Sequence, residues 1–519
     1  MSPTIQLLDH EPVTFKQARS KDFNVIHRHN HIALALKLYT SLWSERDTIA
    51  SIVRAQLGLE DEANCLVTFP QEWIRGKFNV CVPVEVHSRQ FTGKLIMRCP
   101  LPFAVAETMY PGTIEEKLRG EIGAYVWMQQ NCADIRIPRL YGFSIASRHF
   151  VHEAQLPWYS RILRVMKRWL LSILPYPSLS HSPTPSRYAP KHISAQLPTQ
   201  YMLLEYIGPD TGEMLSKTWA AQRNDQSRRK RLFSGLARII VSLSRVPQPR
   251  IGSFEFHDDC TVTLTNRPAF AATALLENCG AKRSIPVRRT YSSTEPFISD
   301  MITLHDNYFY GNQSAVDDEH DCRNQMAVRA LLRTISHHYI RNECRDGPFL
   351  PQLTDLHQSN IFVDKDWEVT CLLDLEWLCA LPPEALSAPY WLTGQDISEL
   401  VDNDESQNLT EYNSVRQEFM QALKEEESKT RLAWPLTSIM EDMWQSSGTW
   451  FWCSLKSDNG AYYLLNSHLC PRFSSDLFGN IVGVFSNFWR EGADQTIAKK
   501  VADFAQYEQD LGRLFEGPA

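Results

Sequence analysis

The sequence predicts an α+β protein with two unequal parts, a small β-rich part carrying one important helix and a larger, mostly helical part. Two β-rich segments come first, KFNVCVPVEV at 77–86 and LIMRC at 95–99, separated by the turn-like SRQFTGK. A helical apolar stripe then begins at Thr113, and beyond Gly208 the periodicity is mainly helical. Strands early and helices late are typical of the α+β class.

The bulk composition indicates a globular protein of two or three packed units. The chain has 519 residues, 43% of them hydrophobic and 22% charged, and its net charge of −7 gives no reason to expect nucleic acid as a partner. Its twelve cysteines are scattered and form no C-x-x-C pair, which favours reduced thiols over disulfides or a zinc site. No secretory signal and no apolar run of membrane-spanning length is present, so a cytoplasmic location is expected.

The local signals predict individual elements. SERD, beginning at Ser44, predicts the cap of a short helix that ends at Gly58. A second helix begins at Thr113, with Glu116 completing a capping box, and places Glu121 close to its apolar stripe. RIPRLYGFS and TQYMLLEYIG are predicted strands.

A basic insertion is expected at about 154–199. No Asp or Glu occurs from Ala154 to Leu204. Its first half, WYSRILRVMKRWLLSIL, predicts an amphipathic helix, and its Pro/Ser-rich second half, PYPSLSHSPTPSRYAP, predicts a loop. Three interpretations stay open: a helix packed on the surface, a weak contact of 158–191 with an anionic membrane or acidic partner, and closure over a substrate.

Two stretches carry polar residues in a pattern that suggests catalysis, QLTDLHQSNIFVD (352–364) and LLDLEW (372–377). Folding the two strands as a hairpin would bring Asn360 beside Asp374, and an amide oxygen and a carboxylate suit Mg²⁺. Asp355 would lie on the loop just ahead, within reach of a hydroxyl group as a general base. A hairpin whose polar residues are purely structural is the alternative.

This D-x-x-x-x-N followed by a strand-borne Asp is the catalytic-loop pattern of protein kinase-like phosphotransferases. That template also requires a cation on an early strand and a glutamate on the next helix, which Arg98 and Glu121 provide. It requires a hinge after an apolar strand, for which Glu205, Tyr206 and Ile207 are the candidates. Each residue alone has an ordinary structural explanation, but their order along the chain favours the template.

The sequence resembles the aminoglycoside phosphotransferase/choline kinase branch of the kinase-like superfamily, and more closely a group of fungal proteins labelled as phosphotransferase-family proteins. The matching blocks lie between about 69 and 473: GKFNVCVPV, LIMRCPLP, EIGAYVWMQQN, IPRLYGF, YMLLEYIG, IGSFEF, LTNRPAF, TYSSTEPF, QLTDLHQSNIFVD, LLDLEW and PYWLTG. The resemblance implies a two-lobed, ATP- and Mg²⁺-dependent kinase fold that phosphorylates a small molecule. It implies an N-terminal helical extension at 1–68, an N-lobe at 69–206 and a helical C-lobe at 207–519 with the catalytic loop at 352–377.

The resemblance also implies residue roles. Asp355 corresponds to the catalytic base, Asn360 and Asp374 to the magnesium ligands, and Arg98 with Glu121 to the pair that anchors the nucleotide phosphates. Three departures accompany them. Leu353 stands where the family has a His, Arg98 replaces the usual Lys, and Gly76 is the sole glycine of the nucleotide-covering loop. His357 is expected to brace the loop.

Two rival functions remain open from the sequence. A protein kinase is disfavoured because Pro382-Pro383-Glu384 follows Asp374 too closely to leave an activation loop. A catalytically weak or inactive nucleotide-binding scaffold is the second rival. The sequence does not predict the acceptor, the choice between ATP and GTP, or the oligomeric state. The acidic runs at 399–405 and 425–427 do not identify the acceptor, because such runs are typical of solvated helix faces. WQSSGTWFWCSL (444–455) is more typical of a core helix than of an acceptor pocket.

Overall fold

A computed structural model describes residues 3–516, except 9, 61, 174–182, 396, 398, 399, 401–405, 458–460 and 474–476. About 51% of the structure is helix and 18% strand, so the predicted mixture of helices and strands is confirmed. The first part of the predicted Pro/Ser-rich loop and all but Leu400 of the acidic run 399–405 lie outside the described residues. None of the described helices is long and apolar enough to cross a membrane.

The strands, in chain order, are β1 (Thr4–Leu7), β2 (His10–Thr14), β3 (Asn64–Val67), β4 (Ile74–Arg75), β5 (Asn79–His87), β6 (Thr92–Pro100), β7 (Leu140–Ile145), β8 (Arg148–His152), β9 (Thr184–Pro185), β10 (Tyr188–Lys191), β11 (Tyr201–Glu205), β12 (Glu213–Met214), β13 (Gly252–Phe256), β14 (Thr261–Asn266), β15 (Leu350–Leu353), β16 (Ile361–Val363), β17 (Val369–Leu372) and β18 (Leu378–Leu381). The helices are α1 (Phe15–Arg19), α2 (Val25–Ser44), α3 (Arg46–Leu57), α4 (Thr113–Asn131), α5 (Trp158–Ile173), α6 (Ser216–Gln222), α7 (Gln226–Ser244), α8 (Ala271–Asn278), α9 (Thr294–Gly311), α10 (Glu319–Ile335), α11 (Ser406–Glu427), α12 (Leu436–Gln445), α13 (Gly448–Lys456), α14 (Ala461–Leu464), α15 (Leu477–Phe488) and α16 (Ala493–Glu516).

An antiparallel eight-stranded sheet occupies the first part of the chain. Its order is β10-β8-β7-β11-β6-β5-β3, with β4 added on β5. The predicted strand pair forms its longest ladder, from Asn79 opposite Pro100 to His87 opposite Thr92. Four valines that alternate along β5 are fully buried, because they share the face of the strand that packs into the core: Val80, Val82, Val84 and Val86.

Helix α3 packs its apolar face against this sheet. The helix ends before Gly58, whose φ of +66° is the left-handed conformation that glycine adopts without strain, as predicted. The predicted cap at Ser44 is wrong. Ser44 belongs to the last turn of α2, and the side chain of Glu45, the N-cap of α3, makes no capping hydrogen bond.

Helix α4 begins at Thr113 as predicted, but the predicted capping box is wrong. The N-cap is Gly112, which has no side chain to accept a hydrogen bond. Glu116 instead accepts a hydrogen bond of 2.7 Å from Nε of Arg267, a buried guanidinium that also pairs with Glu277. A buried charge-assisted bond is stronger than a terminal cap, so tertiary packing overrides the local signal.

Two smaller sheets follow, in the orders β12-β16-β17 and β15-β18-β13-β14-β9. Helix α5 is present as predicted, but the Pro/Ser-rich half of the insertion is not entirely a loop. Strand β9 pairs with β14, and β10 pairs with β8 at the edge of the large sheet. Tyr188 explains this ordering, because it is 1% exposed and its ring packs against Phe143 in the core.

Candidate active site

The loop between β15 and β16 carries Asp355. Strand β15 pairs with β18, with Leu353 opposite Leu378. The hydroxyl of Thr354 donates a 2.8 Å hydrogen bond to the carbonyl oxygen of Trp377. These contacts fix the start of the loop, and the half-buried Asp355 follows directly.

Asn360 ties this loop to the next strand. Its Nδ2 donates to the backbone carbonyl of Asp355 over 2.9 Å, and its own carbonyl accepts from the backbone N–H of Leu373 over 2.8 Å. The hairpin of β16 and β17 pairs Ile361 with Leu372, as the sequence predicts. Asp355, Asn360 and Asp374 consequently line one small cleft.

Asp374 has a φ of +58°, a conformation that non-glycine residues seldom adopt and that is enriched at functional sites. Its carboxylate contacts the guanidinium of Arg98, a residue of β6. The same guanidinium lies 3.1 Å from Glu121 on α4 and 3.1 Å from Glu376. The structure thus brings Arg98, Glu121 and Asp374 together from three distant segments.

Two residues of this cluster were missed by the sequence interpretation, Lys117 and Glu376. The ammonium of Lys117 contacts Glu376 and donates to Oδ1 of Asn79 over 2.8 Å. Asn79 in turn donates to Glu376 over 2.7 Å. The signals were present, because Lys117 precedes Glu121 by one helical turn and Glu376 is a second acid in the apolar run after Asp374.

The cluster holds more acids than bases. Oxygen atoms of Glu121, Asp374 and Glu376 lie within 4.8 Å of one another, and among the described residues these three carboxylates pair with two cations, Arg98 and Lys117. Burial raises the pKa of Glu121 to about 7 and also raises the pKa of Asp374. Although burial opposes it, the charges of Lys117 and Arg98 hold the pKa of Glu376 below its usual value.

Glu121 is the least satisfied member of the cluster. Its side chain is 1% exposed, and neither of its oxygens accepts a hydrogen bond from the part of the chain that the structure describes. The contact with Nε of Arg98 is close enough for an ion pair but lacks the direction of a hydrogen bond. Hard oxygen donors with excess negative charge are the environment that a divalent cation such as Mg²⁺ prefers.

The pKa of Asp355 lies above that of an exposed carboxyl group. Burial raises its pKa to about 7, the charges of Asp374 and Glu376 act in the same direction, and Lys77 opposes them. A carboxyl group with a pKa near neutrality can accept a proton at physiological pH. His357 braces the loop as expected, since its Nδ1 accepts from the backbone N–H of Ser359 over 3.2 Å.

The predicted nucleotide-covering glycine lies in the turn between β4 and β5. The N–H of Gly76 donates to the carbonyl of Asn79 over 2.9 Å, which closes the turn. Lys77 is exposed on this turn and its charge acts on both Asp355 and His357. The turn therefore lies near the loop that carries Asp355.

The predicted hinge begins at Glu205, the last residue of β11. The backbone N–H of Glu205 donates to the carbonyl of Arg139 over 2.9 Å, so this group is committed to the neighbouring chain segment. Tyr206 is half-buried. Ile207 belongs to a small apolar cluster with Phe362, Cys371, Met214 and Leu373, which connects the hinge to the β16–β17 hairpin.

Comparison with known proteins identifies no matching family model and no matching curated protein. Among solved structures, an ethanolamine kinase of Plasmodium vivax matches with a TM-score of 0.34 and 11% identity, covering 86% of this chain and 85% of that chain. A type I macrolide 2′-phosphotransferase matches with a TM-score of 0.32 and 10% identity, covering 88% of this chain and 95% of that chain. Both scores are too low to support an argument about function.

Proposed function

We propose that the protein is an ATP- and Mg²⁺-dependent phosphotransferase of two-lobed kinase-like fold, which moves the γ-phosphoryl group to a hydroxyl of a small molecule. The observation that supports this is the cleft shared by Asp355, Asn360 and Asp374, next to the buried cluster of Arg98 and Glu121. An oxygen of the acceptor forms the new P–O bond, ADP leaves, and the acceptor's proton passes to the carboxylate of Asp355.

In this proposal each residue has one task. Asp374 and the side-chain amide oxygen of Asn360 would hold Mg²⁺, which would neutralise charge on the phosphates. Arg98, kept in place by Glu121 and Glu376, contributes a fixed positive charge beside the phosphates. Lys77 is suited to approach the phosphates from the covering turn.

The adenine has a natural position between the hinge and the hairpin. The backbone of Tyr206 and Ile207 would form its hydrogen bonds, since the N–H of Glu205 is already engaged. The apolar cluster that includes Ile207 and Phe362 offers a surface on which a flat base can pack.

The acceptor is proposed to be a small molecule because the chain after Asp374 leaves no room for a peptide-binding activation loop. Strand β18 begins at Leu378 and pairs immediately with β15 and β13. A nucleotide-binding protein without turnover is a second candidate. The contact between Arg98 and Asp374 favours it, since that guanidinium competes with a metal ion for the carboxylate.

Thermal unfolding with Mg-ATP tests nucleotide binding. At a ligand concentration one hundred times the Kd, binding stabilises by about 2.7 kcal/mol, which for a chain of 519 residues corresponds to a rise of roughly 2–3 °C in Tm. We expect Asp374→Ala to abolish the rise. The exposed acid Glu368 lies on the same hairpin, and Glu368→Gln should keep the rise.

Transfer of label from [γ-³²P]ATP to a metabolite extract separates the two candidates. We expect Asp355→Asn to keep the thermal shift and to lose at least about a hundredfold in label transfer. A wild-type protein that shifts with Mg-ATP but transfers no label supports the scaffold. Absence of the shift in the wild type refutes both candidates.

A further inference from the structure

Helix α5 exposes a continuous apolar face. Seven large side chains on this face are each between 50% and 72% exposed: Trp158, Tyr159, Ile162, Leu163, Val165, Met166 and Trp169. Their spacing of three and four residues places them on one side of the helix. A surface helix of a globular protein normally turns such a stripe toward the core.

Two arginines of α5, Arg164 and Arg168, contact the rest of the protein. Arg164 donates to the backbone carbonyl of Tyr188 on the edge strand β10. Arg168 forms a bidentate pair with Glu153, whose side chain is only 13% exposed. These contacts attach the helix by its polar side, and so hold the apolar side outward.

Exposed arginines accompany the apolar face. From Ala154 to Leu204 the chain contains no acidic residue, and Arg161 and Arg187 are both exposed. An occupant of this surface therefore meets an apolar stripe and, on the same helix, the exposed guanidinium of Arg161. An acidic protein would match the cations but not seven exposed apolar side chains, whereas an anionic bilayer matches both.

We propose that α5 binds in the plane of an anionic lipid bilayer, with its apolar face in the boundary between headgroups and acyl chains. The helix has 16 residues and is about 24 Å long, which suits a helix lying on a membrane and not one crossing it. Trp158, Tyr159 and Trp169 are the side-chain types enriched at that boundary. This inference does not depend on the proposed catalytic function.

Sedimentation of the full chain with vesicles tests the proposal without any nucleotide. We expect binding to phosphatidylcholine vesicles containing about 30% phosphatidylserine, and at least about tenfold weaker partitioning onto phosphatidylcholine alone. Leu163→Glu combined with Met166→Glu should lower the partition coefficient about a hundredfold, because burial of each of these apolar side chains in the bilayer is expected to raise that coefficient roughly tenfold.

The matched control is Leu36→Glu on α2, since Leu36 is 67% exposed and Leu163 is 64% exposed. It should change partitioning less than about twofold, and neither variant should alter Tm because both sites are exposed. The proposal is overturned if the wild type does not sediment with anionic vesicles, or if the double variant sediments equally well. It is also overturned if light scattering shows that α5 joins two copies of the chain and vesicle binding is absent.

Discussion

Replacing Arg98 by Met should reveal how strongly the acidic cluster depends on one guanidinium. The side chain of Arg98 is 12% exposed and contacts Glu121, Asp374 and Glu376, of which the two glutamates are 1% exposed. Methionine keeps much of the length and apolar volume but removes the charge. Lys117 would then be the one cation left in contact with the cluster among the described residues.

The expected loss of stability is large and depends on pH. Removing one partner of a buried ion pair typically costs about 3–5 kcal/mol, because the other partner stays buried and charged. Burial already raises the pKa of Glu121 to about 7, and loss of the Arg98 charge raises it further. A carboxyl group whose pKa is higher in the folded state takes up a proton on folding, so its penalty is present above that pKa and vanishes below the ordinary value near 4.5. The loss should therefore be about 1–2 kcal/mol smaller at pH 5.5 than at pH 8.

Urea unfolding in EDTA at both pH values measures this difference. The control is Arg136→Met, since Arg136 is 50% exposed and pairs with the partly exposed Glu205. Exposed pairs contribute at most about 1 kcal/mol, so the control should lose little stability at either pH. A loss for Arg98→Met below about 1 kcal/mol, or one that is equal at both pH values, would refute this account of the cluster.

Two further pairs of substitutions, each a test variant and its control, probe packing and hydrogen bonding by urea unfolding. Gly142→Ala should destabilise by about 2 kcal/mol or more, because the added Cβ would lie 2.0 Å from Oε1 of Gln56 and 2.6 Å from a backbone carbonyl oxygen of the neighbouring strand. The control Gly512→Ala, at a helix position with open space around it, should stabilise by about 0.5–1 kcal/mol. Equal effects of the two substitutions would contradict the packing. Thr354→Val should lower the free energy of unfolding by about 1 kcal/mol, because it removes the hydrogen bond to Trp377. The control Thr370→Val should be neutral or stabilising, since the buried hydroxyl of Thr370 has no partner among the described residues. If Thr354→Val is neutral, the hydroxyl of Thr354 does not hold the loop.

The strands and the main helix of the first part were predictable because their signals are local. The valines of β5 alternate along nine residues, and the apolar stripe of α4 repeats at helical spacing over five turns. The loop carrying Asp355 was predictable for another reason. Asn360 follows Asp355 by five residues, and the two short apolar strands β16 and β17 come next.

The errors of prediction arise where distant segments compete with local ones. Glu116 was expected to cap its own helix, but the buried Arg267 comes from a segment 151 residues away. Strands β9 and β10 gave no pattern of their own, and each is held by a neighbour far along the chain. The pairing of Lys117 with Glu376 likewise joins residues that only the folded chain brings together.

The missing histidine before Asp355 has a structural explanation in this fold. In the family that the sequence resembles, this histidine is expected to support the geometry of the loop. Here Leu353 is paired in the β15–β18 ladder, and both the N–H and the hydroxyl of Thr354 donate to the carbonyl of Trp377. The start of the loop is thus held by hydrogen bonds to Trp377, three residues after Asp374. An apolar strand residue at Leu353 fits this arrangement, and a hydrogen-bonding side chain is not needed there.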